Sequence, residues 1–452
     1  MSDSNHAHSG RRRFVQAAGG LLGSALVGSL GSNALAQTLT KRFAGTALNV
    51  SCWSSPYAKW LADYLPDFEQ QSGIHVNYDT PAAPVYNQRA DLELSTKGSS
   101  YDVLNITFIY VSRWINAGWF TPLDDLVRDR NKTPADWGPE DFLPVAVDSM
   151  KDRAGRLYGF PWLTETVMAT ASRFDLFRQA GRGMPDTFDE LMATMRAVNG
   201  KDGVRGFVTE NNYGWTFIPY LQGCGGNVFR NPPDDLMPTL DSPEAIAAAD
   251  YFSQLIKLYS PDGALSYNYD AANNALMQGR ANYSTMGHIY LTRLAEKGSK
   301  VAKTVAYSIC PKGPAGRFPG VASHAWGIPV GAKNKDAAWE FIKWAVSKQM
   351  AQRMLVEKGY GALPRRSVID SPHYKAAMTL NGFDLADIYT RTVAAAASGY
   401  MKYRTVHVFP QLNGQIAKAI EVIVSGQATP AAAMKQAQEN SIAELRRAGV
   451  AL

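Results

Sequence analysis

Over residues 324–347, HAWGIPVGAKNKDAAWEFIKWAVS, the apolar positions change period. Trp326-Gly-Ile-Pro-Val330 is a short continuous apolar run that stops at Gly331, the pattern of a buried strand bounded by a turn residue. After the polar Lys333-Asn334-Lys335-Asp336, residues Ala338, Phe341, Ile342, Ala345 and Val346 recur at i, i+3, i+4, i+7 and i+8, which is one face of an α-helix. Lys335, Asp336, Lys343 and Lys348 lie largely off that face. Asn334 is placed to cap the helix by accepting from a first-turn N–H, and Asp336 suits the positive end of the helix dipole. A strand followed by a helix is the βα unit of an α/β protein.

The same reading applied along the chain predicts a strand at 47–52, a helix at 59–71 and a strand at 74–78, a complete βαβ unit, then a strand at 101–106. Open α/β sheets bind ligands beyond the carboxyl ends of their strands. Trp53, Ser55 and Tyr57 after the first strand and Thr80 after the second are therefore candidate ligand contacts. Further on, a helix ends at Ala180-Gly181, and Thr187 with Glu190 three residues later is a capping box. Ser242 and Pro243 open a long helix through Tyr259 as N-cap and N1, and 427–445 reads as a closing helix.

The N-terminus alters the picture of where such a protein works. Arg11-Arg12-Arg13-Phe14-Val15-Gln16 precedes a weakly apolar run over 17–30 and then Ala34-Leu35-Ala36, the order of a twin-arginine (Tat) export signal occupying 1–36 and cleaved after Ala36. That run is shorter than the ~20 apolar residues a membrane span needs, no later stretch is long enough, and no cysteine stands at the cleavage site to take a lipid. A soluble periplasmic protein is expected. The label carries three arginines and one aspartate of a chain whose net charge is +6, so the remainder is only mildly basic. No run of five like charges occurs, which argues against nucleic acid and lipid surfaces. At roughly 150 residues per domain, the rest of the 452-residue chain corresponds to two or three domains.

Catalytic chemistry leaves no mark. Cys52, Cys224 and Cys310 are too few for a disulfide scaffold, allow at most one bridge and lack metal-ligand spacing. His75, His288, His324, His373 and His407 form no metal motif, and neither a G-x-S-x-G elbow nor a nucleotide-binding G-x-x-x-x-G-K-[ST] loop is present. The glycines at 223, 225 and 226 do not open a helix after a strand, so they are not a dinucleotide fingerprint. A distant pair of glycosidase carboxylates is compatible with any sequence, which keeps an exported carbohydrate-active enzyme as the alternative.

Several phrases together resemble the family 1 extracellular solute-binding proteins, the maltose-binding-protein-like receptors of ABC importers. They are the Gly-Ile-Pro strand with its Lys-Asn-Lys turn and Asp-Ala-Ala-Trp-Glu-Phe helix, Tyr101-Asp-Val-Leu-Asn-Ile106, Gly118-Trp-Phe-Thr-Pro-Leu-Asp124, Gly155-Arg-Leu-Tyr-Gly-Phe-Pro161, Ala275-Leu-Met-Gln-Gly-Arg280 and Tyr360-Gly-Ala-Leu-Pro364. The passage 96–123 looks most like the sugar-alcohol (sorbitol/mannitol) binders. The resemblance implies a periplasmic-binding-protein type II fold, two α/β lobes joined by three crossovers with a ligand cleft between them. It places the N-terminal lobe at 37–163 plus 325–358 and the C-terminal lobe at 164–324 plus 359–452.

It also implies the cleft lining. Thr107, Phe108 and Tyr110 fall on the cleft wall, and Trp215 stands where such receptors keep an aromatic that stacks on sugar. Trp53, Trp162, Trp215 and Trp326 would cover the ligand's C–H faces, while Glu165, Asn212 and His288 would pair its hydroxyls. A carboxylate such as Glu165 suits a polyol because it only accepts, and takes hydroxyl donors in charge-assisted bonds. Gly226, Gly287, His324 and Tyr360 complete the lining. The implied function is the periplasmic binding component of an ABC importer, a monomer that closes on a small neutral carbohydrate or polyol and delivers it to the permease subunits of the inner membrane, without catalysis, cofactor or metal. At Ile109 and Tyr110 the acid and arginine used for maltodextrin are missing, and Met286 stands where polyol binders tend to have an aspartate. A polyol or monosaccharide is therefore the first expectation, an oligosaccharide the second and an anionic solute the third.

Overall fold

The computed structural model describes residues 41–167, 169–286, 292–396 and 408–452. The twin-arginine segment and the cleavage point expected after Ala36 lie outside the described residues, as do Gly287, His288 and His407.

Two sheets organise the described residues. The first is built from β1 (Ala47–Ser51), β2 (His75–Asp79), β3 (Val103–Ile106), β4 (Phe160–Val167) and β11 (Gly320–Gly327) in the order β2-β1-β3-β11-β4. The second contains β5 (Ala169–Arg173), β6 (Arg205–Val208), β9 (Ala281–Met286) and β10 (Val305–Ile309) in the order β10-β5-β9-β6, with β7 (Phe229–Asn231) and β8 (Asp235–Pro238) forming a separate hairpin. β1 runs parallel to β2 and β3, because the helices Pro56–Ser72 and Ala83–Ser95 carry the chain back between them. β11 is antiparallel to both β3 and β4, and every one of its residues is buried, as befits a strand with neighbours on both edges.

Three segments pass between the sheets. β4 continues into β5, the chain returns from β10 to β11, and a third passage follows Tyr360. Thr164 sits where they meet. Its amide donates to Ala362 O (3.1 Å), its hydroxyl meets that of Ser323 (3.2 Å), and its carbonyl accepts from the Tyr389 hydroxyl (2.8 Å), which also reaches Leu363 O (3.3 Å). The lobe boundaries expected at 163/164 and 324/325 run through the middle of the β4 and β11 ladder.

Local signals correspond closely to the observed elements. The capping box is present, with the Glu190 amide donating to Thr187 Oγ1 (3.1 Å) and the Thr187 amide donating to Glu190 Oε2 (3.3 Å) at the start of Phe188–Val198. Ser242 caps Pro243–Tyr259, and the closing helix spans Pro430–Arg447. Around the 324–347 stretch two expectations are corrected. The strand begins earlier, at Gly320, and ends at Gly327; Pro329 has no N–H to continue the ladder and makes only a bridge with Phe120. Asn334 makes no side-chain cap. Asp102 takes over, with its Oδ1 accepting from the Asn334 amide and its Oδ2 from the Asn49 amide, both at 3.1 Å. Lys343, off the apolar face, is nonetheless buried: the segment 132–137 covers that side of the helix Lys335–Ala345, and Lys343 Nζ donates to Lys132 O and Glu340 Oε1.

Each sheet has its own core. In the first, Trp137, Phe142, Phe160 and Trp339 pack edge to face or tilted with centroids 4.8–5.8 Å apart. In the second, Phe207 and Tyr283 from the strands meet Phe177, Leu191, Phe252, Ile416 and Met434 from the helices. The three cysteines are free. No helix of the described residues is long and apolar enough to cross a membrane.

Candidate functional site

The loops that leave the first sheet gather aromatic side chains from distant parts of the chain. Trp53 follows β1, Phe108 follows β3, Trp162 lies on β4 and His324 on β11. The Trp53 indole N–H donates to His324 Nδ1 at 3.3 Å across 271 positions of sequence, with ring centroids 5.3 Å apart. Trp162 stands 5.6 Å from His324 and 6.4 Å from Trp53. Its indole N–H is held by Asn105 Oδ1 at 2.9 Å, and Tyr57 stacks on it at 4.0 Å with a 16° interplanar angle. Tyr57 thus covers one face of Trp162 and fixes the ring, and its own hydroxyl donates to Ala345 O at 3.3 Å.

Phe108 joins this group to the second lobe. Its ring stands edge-on to His324 (5.3 Å, 86°) and lies against Trp215 (4.5 Å, 35°), which is carried by the short helix Tyr213–Thr216 after β6. The structure therefore brings Trp53, Phe108, Trp162, Trp215 and His324 into one aromatic wall, with Tyr57 behind it.

Polar residues lie on the same strands and loops. Glu165 is buried on β4, and its charge acts on Tyr360 and Tyr389; burial is the main reason that both phenols are pushed well up, with Tyr57 and Tyr374 respectively adding to it before Glu165 does. Thr107 is buried and donates to Asn87 Oδ1 at 3.4 Å. Asn212 precedes Trp215, and its carbonyl accepts from the Trp215 and Thr216 amides at 2.9 and 3.0 Å.

Other expected residues have different surroundings. Ser55 caps the helix Pro56–Ser72, its Oγ accepting from the Ala58 amide (3.1 Å). Thr80 is half-buried after β2, and Tyr110 stacks on Trp114 at 5.1 Å. Trp326 is fully buried against Trp162, Tyr78 and Phe341, on the core side of the wall. Tyr360 is fully buried against Tyr57 and Trp60. Gly226 packs against Leu221 and the start of the helix Pro243–Tyr259, where an added Cβ would lie 2.6 Å from Leu221 Cδ1. The expected contacts Gly287 and His288 are outside the described residues.

One residue that holds the wall escaped the sequence reading. Asn105 is a fully buried amide inside the otherwise apolar β3; Oδ1 holds Trp162, while Nδ2 has no partner among the described residues. An unpaired buried donor costs about 1–3 kcal/mol, so a polar residue in such a strand was itself a signal. Glu210 follows β6 two residues before Asn212, and desolvation pushes its carboxyl up from 4.5 to about 7. No group of three or more His, Cys, Asp or Glu side chains suited to a metal occurs among the described residues.

Comparison with known proteins gives the family and the fold. Residues 53–352 match the family described as bacterial extracellular solute-binding protein. A mannitol-binding protein of Pseudomonas aeruginosa is 26% identical over 379 residues, 81% of this chain and 85% of the relative. Among solved structures, a solute-binding protein of Agrobacterium radiobacter in complex with ribitol superimposes with a TM-score of 0.79 at 23% identity, over 88% of this chain and 98% of the other. One of Agrobacterium vitis with bound D-mannitol gives 0.77 at 24% identity, over 89% and 99%. At these identities the structural likeness establishes the fold, the two-lobed type II arrangement.

Proposed function

This chain belongs to the bacterial extracellular solute-binding proteins, and we propose that it is the receptor of an ABC importer for a small neutral polyol or monosaccharide. The observation that carries the ligand class is the aromatic wall of Trp53, Phe108, Trp162, Trp215 and His324, with Asn105 holding Trp162 and Glu165 on the same strand as Trp162. Indole and phenyl faces suit the C–H surface of a polyol, and carboxylates and amides suit its hydroxyls. Trp215 and Asn212 come from the second lobe and the rest of the wall from the first sheet and its loops. A ligand held between them gains contacts with both lobes only when they are closed, and so shifts the population towards the closed form. The permease recognises that closed form and receives the solute unchanged. Mannitol and ribitol, which relatives of the same fold bind, are the first compounds to try. Export follows the twin-arginine label Arg11-Arg12-Arg13, with cleavage after Ala36, and delivers a monomer to the periplasm.

The experiment is a thermal-unfolding panel of the mature protein with D-mannitol, ribitol, D-glucose, maltose and maltotriose. A bound ligand at 100 times its Kd adds about 2.7 kcal/mol to stability. A polyol or monosaccharide is expected to raise the unfolding temperature, and NMR of the recovered solute is expected to show it intact. Silence across the whole panel overturns the ligand class; turnover of any compound beyond stoichiometric amounts overturns the receptor. Retention in the cytoplasm of a cell with intact twin-arginine translocation overturns the export route.

A further inference from the structure

Resting on the reading of the cleft as a carbohydrate site, we infer that Phe108 is a size filter: it occupies the face of Trp215 on which a further sugar ring would stack, and so limits the ligand to about one monosaccharide or a short acyclic polyol. Phe108 belongs to the first lobe by sequence, following β3, yet it packs on the hydrophobic core of the second. Its centroid lies 4.5 Å from that of Trp215 at a 35° tilt, which is direct ring contact. A sugar layer between two rings requires two carbon–carbon contacts of about 3.5–4.0 Å each, a separation of about 7–8 Å. No pyranose fits between Phe108 and Trp215.

The ring has a second aromatic partner. His324 meets it edge to face at 5.3 Å and 86°, and His324 is itself fixed by the Trp53 indole N–H. Phe108 therefore bridges from the β11 strand of the first sheet to the Trp215 helix of the second lobe. Trp53 and Trp162 stand 6.4 Å apart beside His324. A glycosidically extended ligand needs the Trp215 face that Phe108 occupies, whereas a six-carbon chain or a single ring does not.

The test measures calorimetric affinities of the mature protein and of Phe108→Ala for D-mannitol, D-glucose and maltotriose, with circular dichroism as the control for folding. The expected result is that the wild type discriminates against maltotriose and that F108A gains at least tenfold in the ratio of maltotriose to mannitol affinity. Phe108→Leu, which keeps bulk in place of the ring, serves if F108A does not fold, with a smaller shift of the same sign. The F108A/W215A pair loses the gain, because the uncovered indole is what binds the added ring. An unchanged ratio in folded F108A, or wild-type binding of maltotriose as tight as that of mannitol, overturns the filter while leaving the receptor intact. A wild type silent to all three sugars overturns the ligand class instead, and the filter then stands only if F108A acquires maltotriose binding.

Discussion

Replacing Arg365 by methionine is predicted to remove about 3–5 kcal/mol of stability, because this guanidinium ties the third passage between the lobes to the first sheet's core. Arg365 is 1% exposed, one of the largest fully buried side chains. Nε donates to Val346 O at 2.8 Å, and Nη1 donates to Trp137 O and Gly138 O at 3.1 Å each and stands 3.4 Å from Asp141 Oδ2. The guanidinium carbon lies 4.1 Å over the Phe142 ring. Burial pushes its pKa down to about 10, against the pull of Asp141, which still leaves it charged at neutral pH. Hydrogen bonds from a charged donor contribute about 1.5–3 kcal/mol each, so three carbonyls represent a gross loss of about 4.5–9 kcal/mol. Methionine keeps the apolar contact with Phe142 and recovers several kcal/mol of desolvation that the cation incurs. Asp141 is not stranded, since the Ser367 amide and hydroxyl still donate to it at 2.8 and 2.7 Å. The net loss is thus well below the gross figure and similar to the cost of breaking other buried charged networks. Equilibrium urea unfolding of the ligand-free protein, followed by the fluorescence of its ten tryptophans, reads the change directly. Arg365→Lys, which keeps the charge but not the fork, is expected to fall between methionine and wild type. A loss under 1 kcal/mol for R365M would show that the carbonyls find other donors, and would refute the role assigned to this side chain.

Two further predictions bear on the site and its frame. Glu210 titrates near 7 in the folded protein and near 4.5 when unfolded; between those values the folded state holds the extra proton, so its contribution to stability is full below pH 4.5 and is lost as pH rises through 7. Glu210→Gln is therefore expected to flatten that part of the stability-versus-pH curve, and an unaltered curve in urea titrations from pH 4.5 to 8 argues against a desolvated carboxyl. At Gly331, an added Cβ would overlap the carbonyl oxygen of Gly98 and lie 2.6 Å from that of Lys97, backbone atoms that cannot turn aside. Gly331→Ala is expected to cost about 1–3 kcal/mol by overpacking, and a wild-type urea midpoint would mean that the 97–98 turn moves freely.

What the linear chain determined is what neighbouring residues decide among themselves. The capping box at Thr187, the Ser242-Pro243 start, the helical face of Ala338, Phe341 and Ile342 and the βαβ unit all rest on interactions within a few positions, and all are present. The family phrases extended that reading to the two-lobed fold, because their order along the chain encodes the passages between lobes. Tertiary structure decided the rest. Lys343 is buried because a segment some 200 positions earlier covers it, and Asp102 rather than Asn334 caps the following helix for a similar reason. Which face of an aromatic is open depends on partners from other strands: Tyr57 covers Trp162, Phe108 covers Trp215, and Trp326 turns into the core. A side chain's partner across hundreds of residues is set by how the sheets stack and close, and hydrophobic period, being blind to contacts beyond a turn or two, carries no record of it.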